Sequence, residues 1–237
     1  MNESTNSSSN QLLVPGAIIL AGIIVAGAVY MSRGNTTVPT PQGGQVVEQD
    51  IALDPITSDD HILGNPSAEL VVVEYSDTEC PFCKVFHQTM QRIMDEYGKD
   101  GEVAWVYRHF PIEQLHQKAK KEAEATECAS EIGGKSKFWD YIDMVFERTR
   151  SNDSLDPAEL PKIAKDIGLD QVAFNSCLES GRHVATVQED YDSGIRAGVQ
   201  GTPFSVILTK DGKTFPIEGA LPYEAVKGLI ESLLKGN

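Results

Sequence analysis

Leu70-Val71-Val72-Val73-Glu74-Tyr75-Ser76-Asp77-Thr78-Glu79-Cys80-Pro81-Phe82-Cys83 decides how the rest of the chain is read. The apolar run from Leu70 predicts a buried strand ending near Ser76. Lys84 to Tyr97 predicts a helix, with an imperfect apolar stripe of Val85, Ile93 and Tyr97. The two cysteines therefore sit at a strand-to-helix corner, with Cys80 at or near the helix N-terminus. Unpaired backbone N–H groups and the helix dipole favour an anion there. A thiolate is such an anion, and it is the nucleophile of disulfide exchange. In a Cys-x-x-Cys pair one sulfur attacks a partner and the other resolves the mixed disulfide. Cys80 is the expected nucleophile, and Cys83, one turn in and more buried, the resolving thiol. Asp77 and Glu79 bring negative charge near Cys80 and oppose its ionisation, and the sequence leaves that competition open. Pro81 and Phe82 add no titratable group.

The same pair, extended by His87 to Cys-x-x-Cys-x-x-x-His, is half of a zinc pattern. A closed zinc site takes four ligands, usually from two paired clusters. Cys128 and Cys177 are solitary and far apart, so neither metal nor cofactor is expected. His87, His109 and His116 are given no role.

Further along, Gly201-Thr202-Pro203-Phe204 precedes an apolar strand, Phe204 to Leu208. Proline cannot donate to a sheet ladder, so it belongs at the first position of that strand. A Cys-Pro-x-Cys corner after a strand, with Thr-Pro opening a later strand, resembles the thioredoxin superfamily. Asp60-His61-Ile62-Leu63-Gly64-Asn65-Pro66, Val73-Glu74-Tyr75-Ser76-Asp77 and Cys80-Pro81-Phe82-Cys83 together resemble the DsbA-like thiol:disulfide oxidoreductases of the membrane-anchored bacterial type. The likeness runs from about residue 55 to 237. It implies a cis Pro203 packed against the redox pair, and a Thr202 backbone able to pair with an extended substrate segment. It also implies that Glu74 is the acidic residue beneath the site, exchanging a proton with Cys83. Alternation along the strand alone leaves open which face Glu74 takes. The best-studied DsbA-type sites carry histidine where this chain has Phe82, which bears on how strongly oxidising the pair is.

Glu102 to Tyr107 predicts a second strand, parallel to the first across a βαβ unit, and Arg108-His109 is expected to leave the sheet. Residues 112–197 read as helical throughout. Trp139, Ile142 and Phe146 have helical spacing, Trp139 and Phe146 are expected in the core of this insert, and Val184, Val187, Tyr191 and Ile195 share one helical face. Asp156 and Asp170 are candidate helix caps. Lys210-Asp211-Gly212-Lys213 predicts a hairpin before the strand Thr214 to Glu218, and Tyr223 to Leu234 a last helix. The fold class is α/β, a thioredoxin fold with an inserted all-helical subdomain. Cys128 and Cys177 lie in different helices of the insert, either as buried free thiols or as a structural disulfide; an oxidising compartment favours the bond.

Before this domain, residues 1–11 are polar and expected to be disordered. Residues 12–31 carry no charge and, as a helix, reach about 30 Å, enough to cross a bilayer. We read them as an uncleaved anchor. The alternative is a signal peptide, cleaved near Ala26-Gly27-Ala28, and a secreted protein. Residues 32–54, with Pro, Gly and Thr and no hydrophobic period, read as a linker. Arg33 alone would keep the domain in the cytoplasm by the positive-inside rule. Disulfide chemistry instead favours the extracytoplasmic side.

The 20 basic against 35 acidic residues, a net charge of −15, argue against nucleic acid, which needs a basic face. The expected function is therefore disulfide donation to reduced, exported proteins. The resemblance implies reoxidation by a membrane partner of the DsbB or vitamin K epoxide reductase type. The rivals are an isomerase or reductant of the same fold, and a binding module with a structural or metal-bound Cys-x-x-Cys.

Overall fold

The computed structural model describes residues 47–236. Five strands form one mixed sheet: β1 (His61–Leu63), β2 (Leu70–Ser76), β3 (Val103–His109), β4 (Phe204–Thr209) and β5 (Thr214–Glu218), in the order β1-β3-β2-β4-β5. β2 is central, parallel to β3 and antiparallel to β4. Its near-continuous apolar sequence follows from that position, because a strand covered on both faces has no solvent side to make polar. Helix α1 (Pro81–Ile93), continued by a π turn over Met94–Gly98, crosses from β2 to β3. It begins at Pro81, three residues before the sequence expectation, because proline needs no N–H partner at the first helical position.

Four helices follow β3: α2 (Ala119–Gly133), α3 (Lys135–Arg148), α4 (Leu160–Asp166) and α5 (Gln171–Ser180). α6 (Val184–Arg196) returns to the sheet, and α7 (Tyr223–Gly236) closes the chain. Asp156 and Asp170 accept from the N–H groups of Ala158 and Ala173, so both act as caps. The insert is not helical throughout. It opens with turns up to Lys118, where Pro111 interrupts, and is broken again over residues 149–156.

Three further features differ from what the sequence predicts. Arg108 and His109 stay in β3, where His109 pairs with Ser76, and the Phe110 N–H still donates to the Ser76 carbonyl at 2.8 Å. β1, too short for a periodic signal, adds a fifth strand antiparallel to β3. The linker does not run to residue 54. Gln49 exchanges backbone and hydroxyl bonds with Thr214, Ile51 and Leu53 pack on the sheet, and Asp54 pairs with Arg196. The sequence hides this docking because its polar partners, Thr214 and Arg196, lie more than 140 positions away. The proposed anchor, residues 12–31, lies outside the described residues. Among those described, no helix is long and apolar enough to cross a membrane.

The side chains form three cores. One sheet face carries Leu70, Val72, Trp105 and Ile207 beneath α1 and α7. The other carries Val73, Tyr75 and Val106 beneath α6. There Gly194 comes so close that a Cβ would stand 2.5 Å from the Phe110 ring. The third core belongs to the insert: Cys128, Tyr141, Val145, Leu160, Ile163, Phe174 and Cys177. Val184 and Ile195, 41% and 54% exposed, drop out of the apolar face expected of α6, while Val187 is buried. Trp139 and Phe146 are not in the insert core. They join Phe138 and Ile142 against Trp105, Phe86 and Cys83 in the first core, so α3 is buried on two faces.

Candidate active site

The corner is built by local rules. β2 runs to Ser76, the Cys80 N–H donates to the Asp77 carbonyl at 3.1 Å, and Pro81 starts α1 with Cys80 as its N-cap. No side chain caps the helix at Cys80, so a sulfur stands where an oxygen would usually accept. Cys80 is 5% exposed and Cys83 fully buried, and both are free thiols in this structure. Cys80 Sγ lies 3.4 Å from the Thr202 carbonyl oxygen, to which its thiol donates. Thr202-Pro203 is cis and opens β4. The Asp77 N–H donates to Cys83 Sγ at 3.4 Å. The Cys80–Cys83 corner and Thr202-Pro203, joined by a contact between residues 122 positions apart, thus meet at one end of the central strands.

The two sulfurs differ sharply. A hydrogen bond from Cys83 holds the Cys80 thiol down at about 6 against an ordinary value of 9.0; burial opposes this, and the Cys83 and Phe82 N–H groups assist. Burial pushes Cys83 well up, and the neighbouring Cys80 adds to it. The expected opposition from Asp77 and Glu79 does not decide the outcome, because both carboxylates are engaged elsewhere. Asp77 accepts from the Ile112 and Glu79 N–H groups at 2.7 and 2.9 Å and meets His116 Nδ1 at 3.0 Å. Glu79 accepts from the Thr149 hydroxyl and from the Ser154 and Leu155 N–H groups.

Glu74 faces inward, fully buried, and accepts from Trp105 Nε1 at 2.9 Å. Burial raises its carboxyl to about 7, and the Cys80 charge adds to the effect. Phe82 points outward, 64% exposed. Cys128 and Cys177 are joined, S–S 2.03 Å and Cα–Cα 5.9 Å, linking α2 to α5 within the insert core. His183 lies close to both sulfurs, but a bonded pair holds no thiolate to bind a metal.

Sequence reading missed a second layer around the corner. Thr78 donates to Glu122 at 2.6 Å, and burial raises that carboxyl to about 8, with the Glu79 charge contributing. A neutral Glu122 can sit beside buried Glu79 without two charges meeting. Glu79 also anchors the loop after α3, where Ser151, Asn152 and Asp153 all have positive φ. Such backbone costs about 1–2 kcal/mol per residue. Asp153 repays part of that by accepting from the Gln117 and Lys118 N–H groups. These partners lie 35 to 76 positions apart, beyond any spacing rule. Glu79→Ala should therefore cost about 3 kcal/mol, since it leaves the Thr149 hydroxyl and the Ser154 and Leu155 N–H groups unpaired in a buried place. Chemical denaturation of the reduced protein measures this, and a loss under 1 kcal/mol would show the loop holds without it.

Comparison with known proteins places this geometry. The family described as Thioredoxin matches residues 57–232. BdbD of Bacillus subtilis superposes with a TM-score of 0.67 and 25% identity, over 79% of this chain and 100% of that one. DsbA2 of Pseudomonas aeruginosa gives 0.64 and 28%, over 76% and 98%. The catalytic domain of Proteus mirabilis ScsC, 22% identical at a TM-score of 0.57, shares the fold over 74% of this chain and 89% of its own. Among curated sequences, the Na(+)/H(+) antiporter NhaA 3 of Salinispora tropica is 33% identical over 144 residues, 61% of this chain but 21% of its own length. An NhaA 1 antiporter of Mycolicibacterium vanbaalenii is 28% identical over 86% of this chain and 31% of its own. The chain thus spans about a fifth to a third of these antiporters.

Proposed function

Since the chain belongs to the thioredoxin family, we propose that it is a thiol:disulfide oxidoreductase that acts as an oxidase, passing its Cys80–Cys83 disulfide to reduced exported proteins on the extracytoplasmic side. The likeness to DsbA2 and BdbD supports the reaction class. The antiporters share too small a part of their length with this chain to bring ion transport to it.

The observation that carries the reading is the asymmetry of the sulfurs. A substrate thiolate attacks Cys80 Sγ, the Cys80–Cys83 bond breaks, and Cys83 leaves with the electron pair. Glu74, raised to about 7, supplies the proton that Cys83 holds tightly. The second substrate thiol then attacks its own sulfur in the mixed disulfide and releases Cys80. A thiol ionising near 6 is a good leaving group, which drives transfer outward. Exposed Phe82 and the Thr202 backbone meet the substrate segment. Two electrons end on Cys80 and Cys83, and a membrane oxidase of the DsbB or vitamin K epoxide reductase type, with the chain held there by residues 12–31, takes them off.

Redox equilibrium against glutathione tests this. An oxidase should settle above about −200 mV, and a value near −270 mV, the thioredoxin range, would make the chain a reductant. The pH dependence has a definite sign. Cys80 is an acid with a lowered pKa, so reduction takes up two protons below 6 and one above it. The potential should fall by about 59 mV per pH unit below 6 and about 30 mV above. A single slope through that region would show that Cys80 does not ionise there.

A further inference from the structure

Opening the Cys80–Cys83 bond leaves an electron pair on a sulfur with no solvent beside it. Cys83 must gain a proton on reduction and lose it on oxidation. Glu74 takes that exchange one step, but Glu74 is itself fully buried, so the proton has further to go.

Strand register sets what surrounds Glu74. It stands opposite Tyr107 on β3 and Ser205 on β4, and Ser76 follows two residues on along the same face. Glu74 Oε1, the Tyr107 hydroxyl and the Ser76 and Ser205 Oγ atoms are all buried without a hydrogen bond of ordinary geometry, although the Ser76 hydroxyl lies near enough to Glu74 and Tyr107 to favour the charged form of each. Buried polar groups are almost always satisfied, so four together beneath one sulfur need a reason. Hydroxyls accept one proton while donating another, and three of them with a carboxyl oxygen can hold an ordered water. The other groups facing Glu74 are Cys80 at the N-cap of α1, Cys83 within α1 and Trp105 from β3, with Asp77 acting on Tyr107.

From here the path leads away from the corner. Tyr107 packs edge-on against His109, ring centroids 5.3 Å apart, and His109 pairs with Ser76 across the strands. His109 Nε2 lies 3.2 Å from Thr126 Oγ1 and 3.1 Å from Glu127 Oε1, and the same oxygen meets His61 Nε2 at 2.8 Å. Glu127 and His61 line a cavity of about 330 Å³ at the β1–β3 edge, together with Arg108, Asp60 and Asp190. Asp190, from α6, accepts from the His109 N–H at 2.9 Å, and Arg108 pairs with Asp60.

We propose that Cys83 exchanges its proton with solvent through the interior, along Glu74, the Ser76 and Tyr107 hydroxyls and a His109–Glu127–His61 relay, with this cavity as the port. The inference rests on the thiol:disulfide reading of Cys80–Cys83. The substrate thiolate bonds to Cys80, the disulfide breaks, and Cys83 keeps the electron pair and takes the Glu74 proton. The carboxylate regains one proton from the port, and reoxidation runs the path outward. A substrate can then cover the redox corner without sealing in the proton.

The test is hydrogen exchange at Cys83 itself. At pH 8 the reduced full chain carries Cys80 as thiolate, so the infrared S–H band reports Cys83, and rapid mixing into D2O times its loss. Glu127→Gln and Tyr107→Phe should each slow it by roughly a hundredfold, the scale of a lost proton-transfer group. His109→Ala should slow it likewise and recover when imidazole is added, which a structural role would not produce. Wild-type exchange in all three, folded by circular dichroism, would overturn the path and put the exit at the corner. If Glu127→Gln does not fold, Tyr107→Phe and the imidazole rescue decide. No protein substrate enters this measurement, so a failed oxidoreductase reading shows separately, as a wild-type chain that exchanges normally but transfers nothing.

Discussion

Cys80→Ser should abolish disulfide transfer to a reduced protein while the domain keeps its fold. A hydroxyl forms no disulfide, and no other described thiol reaches the surface: Cys83 is buried and Cys128 and Cys177 are bonded to each other. The fold survives because position 80 is the N-cap of α1 and serine is among the best N-cap residues. Melting temperature should hold or rise while transfer falls to background. Cys83→Ala should give the complementary result: the Cys80 thiolate still attacks a disulfide of a partner protein, no Cys83 remains to displace that partner, and mixed disulfides accumulate through Cys80. Non-reducing gels with mass mapping read both. Adducts forming only through Cys83 would reverse the two roles, and activity surviving in Cys80→Ser would remove the enzyme reading.

The second large effect is on stability. The Cys128–Cys177 bond closes a loop of 49 residues inside the insert core. In the chain-entropy account, such a loop restricts the unfolded chain by about 4 kcal/mol. Cys128→Ala with Cys177→Ala should lower unfolding free energy by that order, plus the cost of two small cavities. The initial rate of disulfide transfer should stay nearly unchanged, because the bond and the redox corner belong to different cores. Mild reduction should open Cys80–Cys83 first, since Cys80 leaves as a stabilised thiolate and the insert sulfurs gain no such help. Urea unfolding with a transfer assay measures both parts. A large loss of activity in a folded double variant would mean that the insert pair carries electrons.

What could be read before the structure was local. β2, the Cys-x-x-Cys corner and Pro203 at a strand start follow from runs of four to seven residues whose physics is complete in themselves. The facing of Glu74 did not follow, because alternation says that neighbours differ, not which of them is inside. The distant partners of Asp77, Glu79 and Glu127 did not follow either, since each such pairing joins the insert to the sheet or to the corner that follows β2. Trp139 and Phe146 show the same limit in reverse. Their helical period was plain, but a period names a face, not the core that the face meets. β1 is three residues long, too short for any period to register.

α3 is buried on both faces, with Phe138, Trp139, Ile142 and Phe146 toward the sheet and Tyr141 and Val145 toward the insert. Cooperativity gives this its meaning. An insert packed only on itself could melt alone, as a separate unit with its own transition. Here, unravelling the insert would strip Trp139 from Trp105, 4.7 Å away in the core that also holds Cys83. The helix therefore couples the two units into one, and the stability lent by a disulfide in the insert is felt at the redox corner.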